Sequence, residues 1–180
     1  MALHEIVLPE TKPETEWVRG RPLVKVGQTY RHGLLQVVMA ASLGRWAESG
    51  RHGRVAIEWR FRVAPPGEII RPLVPDIAYL AFTAVAADAP SGDFEVPLGA
   101  PTVAVEILSQ EDHEADVADK VATYLRAGAS VVLLVDPDEQ TVEAVDKHRT
   151  VYRPGERFTH IAMPGYELDV EALFAELSEP

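Results

Sequence analysis

Two apolar runs on either side of a helical segment constrain the fold of this chain more than any other feature. The runs cover residues 102–108 and 130–135, and residues 114–127 between them carry apolar side chains at helical spacing. Gly128 follows that segment at once and suits the C-terminal cap of a helix. A helix of this length is long enough for the crossover that neighbouring parallel strands require. The pattern therefore predicts a strand, a crossover helix and a second strand in one sheet.

The remaining periodic segments add strands and helices to this unit. Apolar and polar side chains alternate over residues 55–63, which predicts a strand with one buried face. Helical spacing over residues 29–48 predicts a long helix, and Gly50 follows it as a stop signal. Three further elements are predicted, namely an apolar strand over 77–82, a hairpin over 141–153 and a short helix over 170–177. We expect an α/β fold in which a mixed β-sheet is flanked by helices.

Length and composition narrow the class of protein. The 180 residues fit one domain, and we expect an irregular N-terminal arm over residues 1–16 followed by a single domain over residues 17–180. The chain has no cysteine, which excludes disulfides, thiolate zinc sites and cysteine nucleophiles. No apolar run approaches the length of about 18 residues typical of a membrane span, and the start lacks a signal-peptide layout. We therefore expect a cytoplasmic protein.

The charge balance weighs against a protein that binds nucleic acid unaided. The chain carries 17 Lys and Arg against 28 Asp and Glu, a net charge of −11. Non-specific DNA affinity comes mainly from basic side chains that neutralise phosphates. Much of the acidity lies between residues 106 and 120, however, where bound cations would offset part of it. The charge is therefore compatible with a metal site.

Two carboxylates interrupt or begin apolar strands. Glu106 is the only ionisable residue in the run 102–108, and burying it is costly unless it is paired or bound to a cation. Its side chain shares a face with Ala104. Asp76 stands at the head of the apolar strand predicted over 77–82, directly after Pro75. Each has a simpler interpretation as well, Glu106 as an exposed edge-strand residue and Asp76 as a turn residue.

A lysine on the predicted crossover helix completes the candidate site. Asp116, Lys120 and Tyr124 are four residues apart and form one stripe on the helix, although an exposed Asp–Lys pair would give the same spacing. Two carboxylates from adjacent strands repel each other unless a cation or a proton lies between them, and oxygen ligands suit Mg²⁺ or Mn²⁺. With a lysine to hold a water or a phosphate, this set of groups favours metal-assisted phosphodiester hydrolysis.

The order and spacing of several motifs resemble the Uma-two family of putative restriction endonucleases, which belongs to the PD-(D/E)xK nuclease superfamily. His32 also falls where the family often has a histidine. The resemblance covers residues 17–174 and rests on the segments Val74-Pro-Asp-Ile77, Val105-Glu-Ile-Leu-Ser109, Asp116…Lys120…Tyr124…Gly128, Leu134-Val-Asp-Pro137 and Pro164–Phe174.

The resemblance implies a restriction-endonuclease-like fold, a DNA substrate and a Mg²⁺-dependent endonuclease activity, with Mn²⁺ as the alternative ion. It implies that Asp76, Glu106 and the backbone carbonyl of Ile107 bind the metal and that Lys120 lies near the attacking water. Three residues are expected at the edge of this site, namely His32, Asp116 and Tyr124.

Two departures from the family pattern leave a second function class open. Leu108 stands where the superfamily has its lysine, and Lys120 on the predicted helix takes that role instead. Arg19 and Arg21 stand where the family often has Asp and Glu. The alternative function is a catalytically inactive scaffold that acts as a binding or assembly protein. In either case we expect a homodimer, because the predicted helix and the alternating strand offer apolar faces and related nucleases cut duplexes as dimers.

Overall fold

A six-stranded mixed sheet forms the centre of the structure, a computed structural model that describes residues 4–25 and 29–178. The strands are β1 Thr15–Val18, β2 Arg21–Val24, β3 Gly53–Ile57, β4 Phe61–Val63, β5 Arg71–Leu73, β6 Ile77–Ala81, β7 Val103–Ile107, β8 Val131–Asp136, β9 Thr141–Val145, β10 Arg149–Tyr152, β11 Arg157–Phe158 and β12 Leu168–Asp169. The helices are α1 Tyr30–Ser49, α2 Glu114–Arg126 and α3 Val170–Ala175, with 3-10 turns at Ser91–Asp93 and Glu176–Ser178.

The sheet contains one parallel pair of strands, and the predicted crossover helix connects them. The strand order is β10-β9-β8-β7-β6-β3, and only β7 and β8 run parallel within it. Helix α2 links these two strands, as the apolar runs predict. The predicted mixed sheet flanked by helices is therefore confirmed.

Each face of the sheet packs against its own hydrophobic cluster. On one face, Val105 and its neighbours pack with α1 and α3, through residues such as Leu35 and Phe174. On the other face, Ala104 packs with residues of α2 and of the small strands, such as Tyr124 and Phe61. Because side chains alternate along a strand, Glu106 lies on the same face as Ala104. The only carboxylate of β7 therefore faces α2.

The prediction of one continuous strand over residues 55–63 is wrong. Glu58 adopts a φ of 47°, in the left-handed region that interrupts an extended strand. The chain bends there, so β3 pairs with β6 at the edge of the large sheet while β4 pairs with β5 in a separate two-stranded sheet. Apolar and polar residues alternate in the sequence on both sides of the bend, so the pattern predicts a single strand, although Val55 and Phe61 pack in different hydrophobic clusters.

The N-terminal segment packs onto this core. Strand β1 begins at Thr15, two residues before the predicted domain boundary, and Glu5 forms a bridge with Ile70. The division into an arm and one domain stays a prediction. None of the helices in the described part of the chain combines the length and the apolar surface that a bilayer crossing requires.

Candidate active site

All the predicted site residues except Tyr124 line one small cavity, which lies where β6 begins and β7 ends. The cavity has a volume of about 90 Å³ and lies between these strands, the hairpin of β1 and β2, and α2. Its lining includes all three residues predicted to act in catalysis, Asp76, Glu106 and Lys120, and Ile107 beside them. The structure therefore brings together groups that are separated by up to 44 positions in the sequence, from 76 to 120.

Lys120 joins two buried carboxylates. Its ammonium donates to Glu106 Oε2 at 2.7 Å and to Glu16 Oε2 at 2.9 Å. Tyr124, one turn further along α2, donates its hydroxyl to Glu106 Oε1 at 3.2 Å. All four side chains are buried. The stripe on α2 thus delivers a cation and a hydroxyl to the same carboxylate.

Both oxygens of Asp76 have partners. Its Oδ1 accepts from the Lys25 ammonium at 2.7 Å, and its Oδ2 accepts from the Ile107 backbone N–H at 2.7 Å. His32 Nε2 lies 3.3 Å from Oδ2. Gln36 donates to the backbone carbonyl of Asp76 at 2.9 Å, so α1 holds the start of β6 in place. Asp76 is accordingly an ordered, buried carboxylate rather than an exposed turn residue.

Among the described residues, the three buried carboxylates Glu16, Asp76 and Glu106 pair with two ammonium groups, those of Lys25 and Lys120, and His32 also lies beside Asp76. Burial raises the pKa of Glu106 to about 7. The charge of Lys120 acts to lower this pKa, but the negative charges of Asp76 and Glu16 raise it further. Burial also acts to raise the pKa of Asp76, but Lys25 and His32 outweigh it and hold that pKa below its usual range. The two carboxylates therefore shift in opposite net directions, since the pKa of Glu106 is raised and that of Asp76 is lowered.

The two lysines remain charged despite burial. Burial acts to lower the pKa of Lys120, but Glu106 and Glu16 outweigh it and raise that pKa above its ordinary value. The same balance, with Asp76 as the main partner, raises the pKa of Lys25. Each ammonium is consequently a fixed positive charge and a hydrogen-bond donor at neutral pH.

Two of the predicted edge residues differ in how they meet the cavity. His32 lines it, and its Nδ1 is buried with no hydrogen-bond partner among the described residues. Asp116 also lines it but pairs away from the cluster, accepting from Arg21 at 2.8 Å and from Arg19 at 3.4 Å. Asp116 and Lys120 are both buried and bind different partners, so the interpretation as an exposed Asp–Lys pair is wrong.

Glu16 and Lys25 are site residues that the sequence pattern does not predict. Glu16 precedes Trp17 in a short strand, where an alternating pattern would place the tryptophan inside and the glutamate outside. The structure buries Glu16 and leaves Trp17 half-buried. Lys25 follows Leu23 and Val24 at the end of β2, where the pattern does not distinguish it from a solvent-exposed strand lysine. Only tertiary contacts identify these two residues.

The carboxylate oxygens of the site suit a hard divalent cation, although in the described structure they are hydrogen-bonded to lysines. Carboxylate oxygens are the ligands that Mg²⁺ prefers, and Asp76 and Glu106 border the same cavity. Within residues 4–25 and 29–178, no three His, Asp or Glu side chains are placed to hold one metal ion together. Asp76 and Glu106 accept hydrogen bonds from the ammonium groups of Lys25 and Lys120, so a metal ion would have to displace a lysine to bind the same oxygens. The Ile107 carbonyl as a metal ligand stays a prediction.

Comparisons with known proteins agree with this architecture. The model of the Uma2 family, described as "Putative restriction endonuclease", matches residues 3–171. Among solved structures, a protein of Anabaena variabilis described as a putative nuclease belonging to DUF820 aligns with a TM-score of 0.83. The two sequences are 24% identical and the alignment covers 94% of each chain, so this likeness shows the fold. None of the curated proteins compared with the chain matches it.

Proposed function

Because the chain belongs to the Uma2 family of putative restriction endonucleases, we propose that it is a metal-dependent endonuclease that hydrolyses DNA phosphodiester bonds. The convergence of Asp76, Glu106 and Lys120 on one cavity is the observation that carries this proposal. The family match covers most of the chain, and the cavity residues all lie within the matched segment. The proposal therefore rests on family membership and on the chemistry of one buried cluster.

Asp76 and Glu106 would hold Mg²⁺ or Mn²⁺, with the Ile107 carbonyl as a further oxygen ligand. When bound, such an ion neutralises charge on the phosphate and lowers the pKa of a water. Tyr124 fixes one oxygen of Glu106 by its hydrogen bond. The Ile107 N–H fixes one oxygen of Asp76 in the same way. The two proposed ligands are thus oriented by the protein before any cation arrives.

Lys120 and His32 would contact the attacking water and the phosphate. The raised pKa of Lys120 keeps its ammonium charged, so it can hold a water or a phosphate oxygen but cannot take a proton. His32 lines the same cavity, and its Nε2 lies 3.3 Å from Asp76 Oδ2. Because its Nδ1 has no hydrogen-bond partner among the described residues, we assign this nitrogen as a group that hydrogen-bonds the attacking water.

Two arginines beside the cavity would contact the DNA backbone and supply positive charge that the net charge of −11 otherwise lacks. Arg19 and Arg21 share Asp116, which lines the cavity, and their side chains are 52% and 44% exposed. One carboxylate cannot use all the donors of two guanidinium groups. The turn between β1 and β2 therefore presents free donors near the cavity, where the family often has acidic residues.

A cleavage assay on plasmid and linear DNA, with Mg²⁺, Mn²⁺ or a chelator, tests the proposal. We expect metal-dependent cleavage by the wild type and its loss in Glu106→Gln. The matched control is Glu48→Gln, the same substitution at an exposed position of α1, which should cleave like the wild type. Unimpaired cleavage by Glu106→Gln would exclude the proposed mechanism.

A binding or assembly protein on the same scaffold is the second candidate function. Its support is the pairing of the cavity carboxylates with Lys25 and Lys120, since a cluster of this kind is held together without a metal. Titration calorimetry with Mn²⁺ separates the two functions. Binding that disappears in Asp76→Asn would remove the main support for the scaffold, whereas absence of Mn²⁺ binding together with absence of cleavage would favour it.

We further propose that the chain acts as a homodimer. Helix α1 exposes the large side chains of Tyr30 and Val37, and β3 exposes Ile57 at the edge of the sheet. Burying such residues against a second copy would remove apolar surface from water. Size-exclusion chromatography with light scattering should give twice the chain mass of 19.8 kDa, and a species of 19.8 kDa alone would refute the dimer.

A further inference from the structure

Lys25 is the charged group of the buried cluster that is most open to solvent. Its side chain is 12% exposed, compared with 9% for Lys120 and 4% for Asp76. Its ammonium donates to Asp76 Oδ1 and to the backbone carbonyl of Val74, both at 2.7 Å. Lys120, in contrast, bonds two carboxylates at once. Lys25 therefore loses fewer charged partners than Lys120 when it leaves the cluster.

Asp76 has one oxygen that a metal could take, and Lys25 holds it. The other oxygen, Oδ2, accepts from the Ile107 N–H and faces His32. A divalent cation at Oδ1 would lie next to the Lys25 ammonium, and two cations at hydrogen-bond separation in a buried site repel strongly. Binding of the metal and the hydrogen bond of Lys25 to Asp76 therefore exclude each other.

We propose that Lys25 is a tethered cation that competes with the divalent metal for Asp76, so that the metal binds only as the Lys25 ammonium leaves Oδ1. The inference rests on the proposed function, because it assumes that Asp76 is a metal ligand. Lys25 is a positioning residue in this scheme, since it acts through Asp76 and not on the substrate.

The exchange of the Lys25 ammonium for a metal ion explains how the site is stable both without the metal and with it. Without a metal, Lys25 prevents Asp76 from being a buried carboxylate with no cation, which would be costly. When all three carboxylates are ionised, they and the two ammonium groups give a charge of −1. A divalent ion in place of the Lys25 ammonium brings the cluster to 0, since −3 from the carboxylates meets +1 from Lys120 and +2 from the metal. A neutral cluster admits a phosphate more readily than a negative one.

Calorimetric titration with MnCl₂ tests the competition on the full chain. We compare the wild type with Lys25→Met, which keeps the aliphatic stem but has no ammonium, and with Lys147→Met, which removes one charge from an exposed hairpin. We expect Lys25→Met to bind Mn²⁺ about tenfold more tightly or better, because the competing charge is gone. Lys147→Met should bind like the wild type.

The outcomes separate this inference from the proposed function. If the wild type binds Mn²⁺ through Asp76, as shown by loss in Asp76→Asn, and Lys25→Met binds no more tightly, the competition is overturned and the metal site stands. If neither the wild type nor Lys25→Met binds Mn²⁺, the metal site itself is overturned, and the competition with it.

A second measurement needs no variant, in case Lys25→Met does not fold. Trace acetylation with acetic anhydride, read by mass spectrometry, reports how free each lysine amine is. We expect Mn²⁺ to raise the labelling of Lys25 several-fold and to leave that of Lys147 unchanged. Equal labelling of Lys25 with and without Mn²⁺, in a wild type that binds Mn²⁺, would overturn the competition.

Discussion

Glu106→Gln tests whether burial controls the charge of the central carboxylate. Glu106 is buried against Lys120 and Tyr124, and its pKa is raised from 4.5 to about 7, mainly by burial. Glutamine has nearly the same shape and keeps an oxygen that can accept from Lys120, but it does not titrate. Comparing the two proteins over a range of pH therefore isolates the proton on Glu106.

The sign and the size of the effect follow from the pKa. Between pH 4.5 and about 7, the folded protein keeps a proton that the unfolded chain has released. The folded state binds more protons there, so the contribution of Glu106 to stability falls as the pH rises and is constant above that window. A pKa raised from 4.5 to about 7, at about 1.4 kcal/mol for each tenfold change, gives a loss of about 3–4 kcal/mol over the whole window.

Urea unfolding of the wild type and Glu106→Gln, from about pH 4.5 to about pH 8, measures this directly. The difference in free energy of unfolding should move by about 3 kcal/mol in favour of Glu106→Gln. Glu48→Gln serves as the control and should differ from the wild type by a constant amount. A flat difference for Glu106→Gln, or a wild type that gains stability relative to it as the pH rises, would mean that Lys120 and not burial controls Glu106.

Three further substitutions test other contacts of the site. Lys120→Met leaves two buried carboxylates without their ammonium and should lower the free energy of unfolding by about 3–5 kcal/mol in urea, whereas a loss no larger than that of Lys147→Met would contradict the buried pairing. Tyr124→Phe removes a hydrogen bond to Glu106 and should lower the free energy of unfolding by about 1 kcal/mol. It should also slow cleavage while the circular dichroism spectrum stays unchanged, and an unchanged rate would mean that the hydroxyl does not orient the carboxylate. Thr29→Ala removes the N-cap of α1 and should cost about 1 kcal/mol in thermal unfolding, and no loss would mean that the cap is unused.

The crossover unit is predictable from sequence because its signals are local. Apolar runs and helical spacing identify β7, α2 and β8, and alternation along β7 places Glu106 on the face towards α2. The stripe of Lys120 and Tyr124 follows from the helical period. The wrong prediction over residues 55–63 has a different cause, since apolar and polar residues alternate in the sequence on both sides of Glu58 although the chain changes its partner strand there.

The other half of the site depends on contacts that no local pattern encodes. Glu16 is 104 residues from Lys120, and Lys25 is 51 residues from Asp76. Their positions follow from how the β1–β2 hairpin packs over the ends of β6 and β7. The sequence therefore predicts Asp76, Glu106 and Lys120 but not Glu16, Lys25 or the ion pairs among them.

Nicking of supercoiled plasmid by the wild type and by Asp76→Asn shows whether a metal ion held at Asp76 is needed for DNA cleavage. We expect the wild type to nick DNA with Mg²⁺ or Mn²⁺ and not with a chelator. We also expect Asp76→Asn, with its circular dichroism spectrum unchanged, to lose the metal-dependent rate by about 100-fold or more, since a mechanism without the metal would lack several kcal/mol of charge stabilisation. Equal metal-dependent nicking by the two proteins, or none by a folded wild type, would contradict the proposed function.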